Sequence, residues 1–556
     1  MASLAQGPAA AGLARHGSLV AGREVAGRAG VRAVVDPASG AAFAEVTLLD
    51  AQQAGEAVAA ARQAFPAWAA LGFAGRGGLL LRLSQAILDD AGALAALISR
   101  EQGKPAAEAH LVEILPALAA LKHLALGAED ALREEEVQSE VPLLVHKECR
   151  LLHVPYGAVL VITPWNYPFA ISLSGVAAAL AAGNTVVLKP APATTLVGLR
   201  IGELCRKAGI PDGVVNVVAA DDAVAAALVE DPRVGKIVFT GSVPTGKRVM
   251  AAAARNLTPV VLELGGKDAA IVCRDADLDR AARGIVWGAF VNAGQTCASV
   301  ERVYVEKPVA EAFVARVVDE ARRLRVGDPA AAETDIGPLT LERQRRVVEE
   351  HVQDAVDRGA KVLLGGARAG GPGWFYPPTV LTGVDHTMRV MREETFGPVL
   401  PIMVVASLEE ALALANDSDY GLTASGWTRD PGIARRLQEG LDTGVVTIND
   451  CLSSFGEPTA PWGGVKRSGM GRVHGLAGLR EMTQVKYVSR DRGRAPMLWW
   501  YPYGPELARL AASAGPALHA RSAWSRLRHL ARLLGSPRFR GRVSLGALLK
   551  HADRLF

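Results

Sequence analysis

Three side chains set far apart in the sequence could act together on one carbonyl group. Cys297 lies in V-N-A-G-Q-T-C-A-S (residues 291–299), where Gly294 and Thr296 leave little bulk around the thiol. Glu263 lies in V-L-E-L-G-G-K, and Asn166 in T-P-W-N-Y-P-F. A thiol can attack a carbonyl carbon, a primary amide can hold the oxyanion that forms, and a carboxylate can activate water. Each also has a blander use. Cysteines in α/β proteins are mostly buried hydrophobes, and a carboxylate before Gly265-Gly266 could pin that turn through its amides. Burial in an apolar strand would raise the pKa of Glu263, which suits a general base working near neutrality.

The elements that must gather these groups follow a simple order. After a loose arm over residues 1–30, V-R-A-V-V-D-P-A-S-G-A-A-F-A-E-V predicts a hairpin from Val31 to Val46. Asp50 to Phe65, Leu79 to Arg100 and Ala106 to Leu126 carry helical periodicity, the last two separated by G-K-P. Val141 to His153 reads as extended. Short β-branched runs then alternate with helical stretches: A-V-L-V-I-T, T-V-V-L-K, V-V-N-V-V and K-I-V-F-T. A second series follows with A-A-I-V-C, R-V-Y-V, K-V-L-L, P-I-M-V-V and G-V-V-T-I-N. This is the grammar of parallel sheets covered by helices, and two such units predict a cleft at the carboxyl ends of the strands. Phe239-Thr240-Gly241-Ser242 could turn backbone amides and a helix N-terminus towards a pyrophosphate, although a G-x-G-x-x-G fingerprint is absent.

The 556 residues are 50% hydrophobic and 21% charged, which excludes a disordered chain. Net charge is +4, yet residues 490–556 carry 13 Lys and Arg against three acids, so the body ahead of them is mildly acidic. That balance gives a nucleic-acid role no support. Five scattered cysteines without a C-x-x-C pair argue against a disulfide framework or structural zinc, and for a reducing, cytoplasmic compartment. Neither the first thirty residues nor the apolar run Val176 to Ala182 reads as a signal peptide or a membrane span.

Taken together, P-W-N-Y-P, V-V-L-K-P, F-T-G-S-x-x-x-G, E-L-G-G-K, G-Q-T-C, E-E-T-F-G-P, P-W-G-G-V-K-R-S-G-M-G-R and G-L-R-E-M-T resemble the NAD(P)-dependent aldehyde dehydrogenase superfamily. They run in its order from about Val31 to Val488. The resemblance implies an α/β fold of two Rossmann-like parallel-sheet domains plus a small β oligomerisation arm. The cofactor-binding domain would comprise residues 31–131 and 151–263, and the catalytic domain 264–477. The arm, 132–150 and 478–489, would pair strands between subunits of a homodimer or homotetramer, leaving 490–556 as a basic tail. The resemblance also implies roles. Cys297 would attack an aldehyde to give a thiohemiacetal, with the oxyanion held by the Asn166 amide and the Cys297 backbone N–H. Hydride would pass to NAD or NADP, and Glu263 would activate the water that hydrolyses the thioester. Lys189 would bond the adenosine ribose, Ser242 with Gly241 and Trp165 would meet the pyrophosphate, and Glu394 and Phe396 would position the nicotinamide ribose and ring.

The chain departs from this pattern in informative places. Pro192 stands where many members carry an acid three residues after the ribose lysine, so the choice between NAD and NADP stays open. Gly175 and Val473 stand where some members place a lysine–glutamate relay, and the adjacent His474 reads as a solvated loop histidine. Glu263, which CoA-acylating members generally lack, favours hydrolysis to the free acid. Phe169, Phe455 and Trp462 could line an apolar entrance. With no clear arginine pair, an apolar or lipid-derived aldehyde is expected over a succinate-semialdehyde-type substrate. A structural or membrane-bound binding protein that keeps the fold without catalysis is the alternative from another class. In the tail, Gly515-Pro516 is expected to break a helix. Beyond it Trp524, Leu527, Ala531 and Leu534 would share one face, with Arg521, Arg528 and Arg532 on a second. Such a helix could lie on an anionic membrane surface, or dock on the body or a neighbouring subunit.

Overall fold

The computed structural model describes residues 12–139, 144, 147–491, 497 and 499–540. The chain forms two compact units, Met1–Ala131 with Pro155–Thr483, and Leu132–Val154 with Gln484–Phe556.

The first unit is built on two large sheets. In one, the strands Ala158–Ile162, Thr185–Lys189, Val215–Val217, Val234–Thr240 and Val260–Glu263 pair in parallel. Numbered by sequence, their spatial order is 3-2-1-4-5, the doubly wound order that reverses direction between Ala158–Ile162 and Val234–Thr240. A ligand crevice is expected at that switch, beyond the carboxyl ends of the two strands. All five residues of Ala158–Ile162 and of Thr185–Lys189 are buried, which explains their unbroken apolar runs. The second sheet runs, in space, Lys361–Leu364, Thr379–Thr382, Val399–Val405, Val300–Glu306, Asp268–Val272, Thr423–Trp427 and Val445–Ile448. It is parallel except at the Lys361–Leu364 edge.

Local chemistry sets the helices that flank these sheets. Asp50 accepts the Gln53 N–H at 2.8 Å while the Gln53 side chain accepts the Asp50 N–H at 3.3 Å, a reciprocal cap that starts Ala51–Ala70. The next helix, Gly72–Gln102, stops at Gly103, whose φ of 95° is left-handed. Residues 106–132 stay helical through a π turn at Ala109–Ile114. This segment is long and apolar enough to cross a membrane by length and composition alone. Here it packs as a wall of the first unit, burying Ile114, Leu121 and Leu124 and leaving Leu111, Leu115 and Leu126 exposed.

Two expectations for the chain ends change. The segment read as a loose arm contributes, from Arg15 on, three short strands, and Ser18–Val20 pairs with Val215–Val217 at the sheet edge. Residues 1–11 and 541–556 lie outside the described residues. In the second unit, Gly515-Pro516 does not break the helix, which runs Pro505–His519. Pro516 forfeits a single bond close to the end, and the Ala520 N–H closes the last turn on the Pro516 carbonyl at 3.2 Å. A second helix, Ala523–Gly535, starts at Ser522. Its Leu530, Leu533 and Leu534 pack with Leu510, Ala517 and Phe539, so Leu534 leaves the face expected for it. Trp524 and Leu527 remain outside with Arg521, Arg528 and Arg532. The same unit holds a three-stranded sheet of Glu135–Val137, Lys147–Pro155 and Thr483–Asp491, with the last strand at an edge.

Candidate active site

Cys297 follows a strained turn. Asn292, Ala293 and Gly294 have φ of 57°, 53° and 72°, conformations that only the glycine takes without cost. Other segments hold the turn. Glu108 accepts the Asn292 N–H at 2.9 Å, and Gln102 donates to Asn292 Oδ1 at 2.9 Å. Thr340 N–H donates to Gln295 Oε1 at 2.9 Å. Gly266 explains itself here, because a Cβ on it would meet the Cys297 carbonyl oxygen at 2.3 Å.

Asn166 sits just past Ala158–Ile162 and is buried. Its Nδ2 donates to the Gln295 carbonyl at 2.9 Å, joining the amide to the cysteine turn. Its own carbonyl accepts from Asn292 Nδ2 at 2.8 Å and from Lys104 Nζ at 3.1 Å. Lys104 is fully buried and paired with Glu113 at 2.8 Å. The other Glu113 oxygen accepts the Phe169 and Ala170 N–H groups at 3.1 and 2.7 Å. Sequence reasoning missed this pair, since nothing local marks two charges as partners in a core. A second missed pair, Lys267 and Glu301 at 2.6 Å, is equally buried. Glu301 accepts the Thr395 and Phe396 N–H groups at 2.8 and 2.9 Å, fixing the E-E-T-F-G-P loop.

Glu263 ends the strand Val260–Glu263 opposite Thr240. Burial raises its pKa well above the ordinary carboxylate value, against smaller opposing effects of the Arg472 charge and a Trp462 hydrogen bond. Its Oε1 is buried without a hydrogen-bond partner among the described residues. Burial, followed by the neighbouring Asp268, Glu263 and Glu394 carboxyls, pushes the Cys297 thiol up, so the resting sulfur is protonated at neutral pH.

Cys297 and Glu263 line two cavities. The larger, about 510 Å³, opens at the switch point and is lined also by Trp165, Asn166, Lys189, Gly241, Ser242, Glu394 and Phe396. All nine residues singled out in the sequence therefore meet in one crevice. Its chemistry suits a dinucleotide. Ser242 begins the helix Val243–Ala253 without capping it through its side chain, leaving first-turn N–H groups for an anion. Burial brings the Lys189 pKa down to about 8. Glu394 accepts the Gly266 N–H at 3.1 Å, and burial raises it to about 8. Trp165 and Phe396 meet edge to face at 5.4 Å.

The second cavity is small, about 30 Å³, and lies among Ile171, Ser174, Phe455, Trp462, Val473 and His474. A third, about 20 Å³, shares Ser174, Gly175, Val473 and His474 and reaches Ala120, His123 and Leu124. Phe455 and Trp462 thus line a cavity as expected, whereas Phe169 is buried in the core and lines neither. His474 is half-buried rather than solvated, and burial, with the His123 charge, brings its pKa down to about 4. Its Nε2 lies 2.7 Å from Ser174 Oγ, and its Nδ1 has no hydrogen-bond partner among the described residues.

Comparison with known proteins identifies the family and the overall fold. The aldehyde dehydrogenase family profile matches residues 25–488. The chain is 42% identical over 448 residues to 4,4′-diapolycopene aldehyde oxidase of Methylomonas sp, covering 80% of this chain and 82% of that one. It is 39% identical over 466 residues to human retinaldehyde dehydrogenase 3, covering 83% and 90%. Among solved structures, an NAD-dependent aldehyde dehydrogenase from Sinorhizobium meliloti superposes with a TM-score of 0.84 at 38% identity, covering 88% of this chain and 97% of that one. An NADP-dependent enzyme of E. coli gives 0.83 at 36% identity, covering 86% and 98%.

Proposed function

Because the chain belongs to the aldehyde dehydrogenase family, enzymes that oxidise aldehydes to acids with NAD or NADP, we propose that its own substrate is an apolar, lipid-derived aldehyde. The observation that carries this reading is that Cys297 and Glu263 line both the large crevice and the small apolar cavity beyond it. Among the described residues, neither small cavity is lined by a lysine or arginine, which disfavours a succinate-semialdehyde-type substrate. Relatives named for retinaldehyde and for 4,4′-diapolycopene aldehyde support the same choice.

In this reading Cys297 Sγ bonds to the aldehyde carbon and its proton passes to the Glu263 carboxylate, whose affinity for a proton burial increases. Asn166 gives one amide N–H to the Gln295 carbonyl and keeps the other for the oxyanion. A dinucleotide held by Lys189, Gly241, Ser242, Trp165, Glu394 and Phe396 supplies the hydride acceptor. Glu263 releases that proton to solvent and then takes one from the water that attacks the Cys297 thioester, whose C–S bond breaks to free the acid and restore the thiol. NAD is preferred over NADP, because Asp222 lines the crevice alongside Lys189 and its charge would repel a 2′-phosphate.

The exposed edge strand Thr483–Asp491, with Val485 and Tyr487 outward, supports a homodimer or homotetramer formed by strand pairing. The exposed Trp499, Trp500, Tyr501, Tyr503 and Trp524, together with Arg521, Arg528 and Arg532, support peripheral contact with an anionic membrane from the cytoplasm. A panel of n-alkyl aldehydes run with both nucleotides, in parent and Cys297→Ala protein, tests the reaction. Turnover by the alanine variant would defeat the nucleophile, and turnover by neither protein would favour a non-catalytic binding protein. Liposome sedimentation with and without residues 496–556 tests the tail, and equal sedimentation of both forms would defeat membrane contact.

A further inference from the structure

The passage from the wall helix to Cys297 is divided in two. The inner void holds Cys297, Glu263, Phe455 and Trp462, and the outer void holds Ala120, His123 and Leu124. Ser174, Gly175, Val473 and His474 belong to both, so these four form the wall between them. At about 30 and 20 Å³, each void has room for roughly one or two waters. Neither admits an alkyl chain as it stands.

Of these four, only His474 carries a ring, and its imidazole fills most of that wall's side-chain bulk. One nitrogen is pinned to Ser174 Oγ at 2.7 Å, and the ring leans on Phe455 at 4.7 Å between centroids. Phe455 in turn meets Trp462 edge to face at 5.2 Å. Two features keep this arrangement from being a settled piece of core. Nδ1 is buried with no hydrogen-bond partner among the described residues, and the His474 backbone has φ +60°, outside the conformations that residues with a Cβ prefer. His474 also stands at the N-cap of Gly475–Arg480 without a capping side-chain bond, so helix capping does not account for it. A single neutral hydrogen bond holds the ring shut.

We propose that His474, latched to Ser174, sets the length of aldehyde that can reach Cys297. Shut, the ring confines the carbonyl carbon's substituent to the inner void. Turned off Ser174, it joins the two voids into one apolar channel along the wall helix, and an extended chain occupies both. This rests on the reading of Cys297 as the nucleophile towards an apolar aldehyde, and it names the residue that grades such aldehydes by length.

The test separates access from oxidation. Labelling of Cys297 is followed by intact mass in the full-length protein, with iodoacetamide as the short probe and N-decyl iodoacetamide as the long one. Removing the ring with His474→Ala is expected to raise the long-to-short rate ratio about tenfold or more. Ser174→Ala keeps the ring but frees it, and is expected to raise the ratio about threefold, the worth of one neutral hydrogen bond. The decanal-to-propanal ratio of kcat/KM should move the same way in both variants. An unmoved labelling ratio in Ser174→Ala and in His474→Ala, each melting as one cooperative transition, overturns the latch. Should the histidine variant not fold, the serine variant alone decides. A shifted labelling ratio without oxidation of any aldehyde supports the latch and defeats the proposed reaction, whereas oxidation with unmoved ratios defeats the latch alone.

Discussion

The two sides of Cys297 are built differently. Towards the switch point the crevice is about 510 Å³, lined by charged and apolar groups together, and the loops beside it are held by buried ion pairs. Towards the wall helix the space is about 30 Å³, apolar and closed by a leaning ring. A site shaped ahead of its ligand spends no binding energy on rearrangement, while a closed one takes that cost from the ligand that opens it. The contrast teaches that the invariant partner of the reaction meets a finished surface, and that discrimination is left to the side where the substrates differ.

Substitutions can break that contrast or sharpen it. Cys297→Ala removes the one atom that both sides serve, and steady-state assays should show kcat falling about ten-thousand-fold or more. Glu263→Gln should cost about a thousandfold in kcat. It should still show a stoichiometric burst of reduced nucleotide in stopped flow, slower than the parent's, because water can take the thiol proton in place of Glu263 while deacylation has lost its base. Glu113→Ala tests the framing of the crevice side. Leaving Lys104 as an unpaired buried charge should cost about 3 kcal/mol in urea melts, and a variant as stable as the parent would show that the frame rests elsewhere. Asp222→Ala should narrow the NAD-over-NADP preference about tenfold in paired kcat/KM measurements.

The smallest expected effect is thermal. Glu263 has its pKa raised on folding, so its stabilising share is full below the ordinary value of 4.5 and is lost as pH climbs towards the raised one. Glu263→Gln should therefore leave the melting temperature unchanged in acid and raise it by about 2 °C in mildly alkaline buffer. A melting difference that shrinks with rising pH would reverse the sign of this argument.

What could be read from the sequence tracks what is local. Asp50 announces its helix because a cap and its N3 partner lie within one turn, and the buried strands announce themselves by unbroken apolar runs. Cys297, Glu263 and Asn166 were legible because each sits in a motif whose small neighbours have backbone reasons, as Gly266 does against the Cys297 carbonyl. Lys104–Glu113 and Lys267–Glu301 were not, because a buried pair is defined by what surrounds it and looks in sequence like any surface charge. His474 misled for the converse reason. Its loop has a solvent-facing composition, and only the packing of Phe455 and Ser174 against it takes the ring out of water. The tail misled through proline, because Pro516 forfeits one bond within Pro505–His519 without ending the helix.

The double exposure of one sulfur has a chemical consequence for inhibitor design. A molecule carrying a nucleoside-like head, a central electrophile and a greasy appendage would span the protein through the reacting atom itself, drawing selectivity from the appendage and affinity from the head. Trimming the appendage should turn such a compound from a selective reagent into a general one.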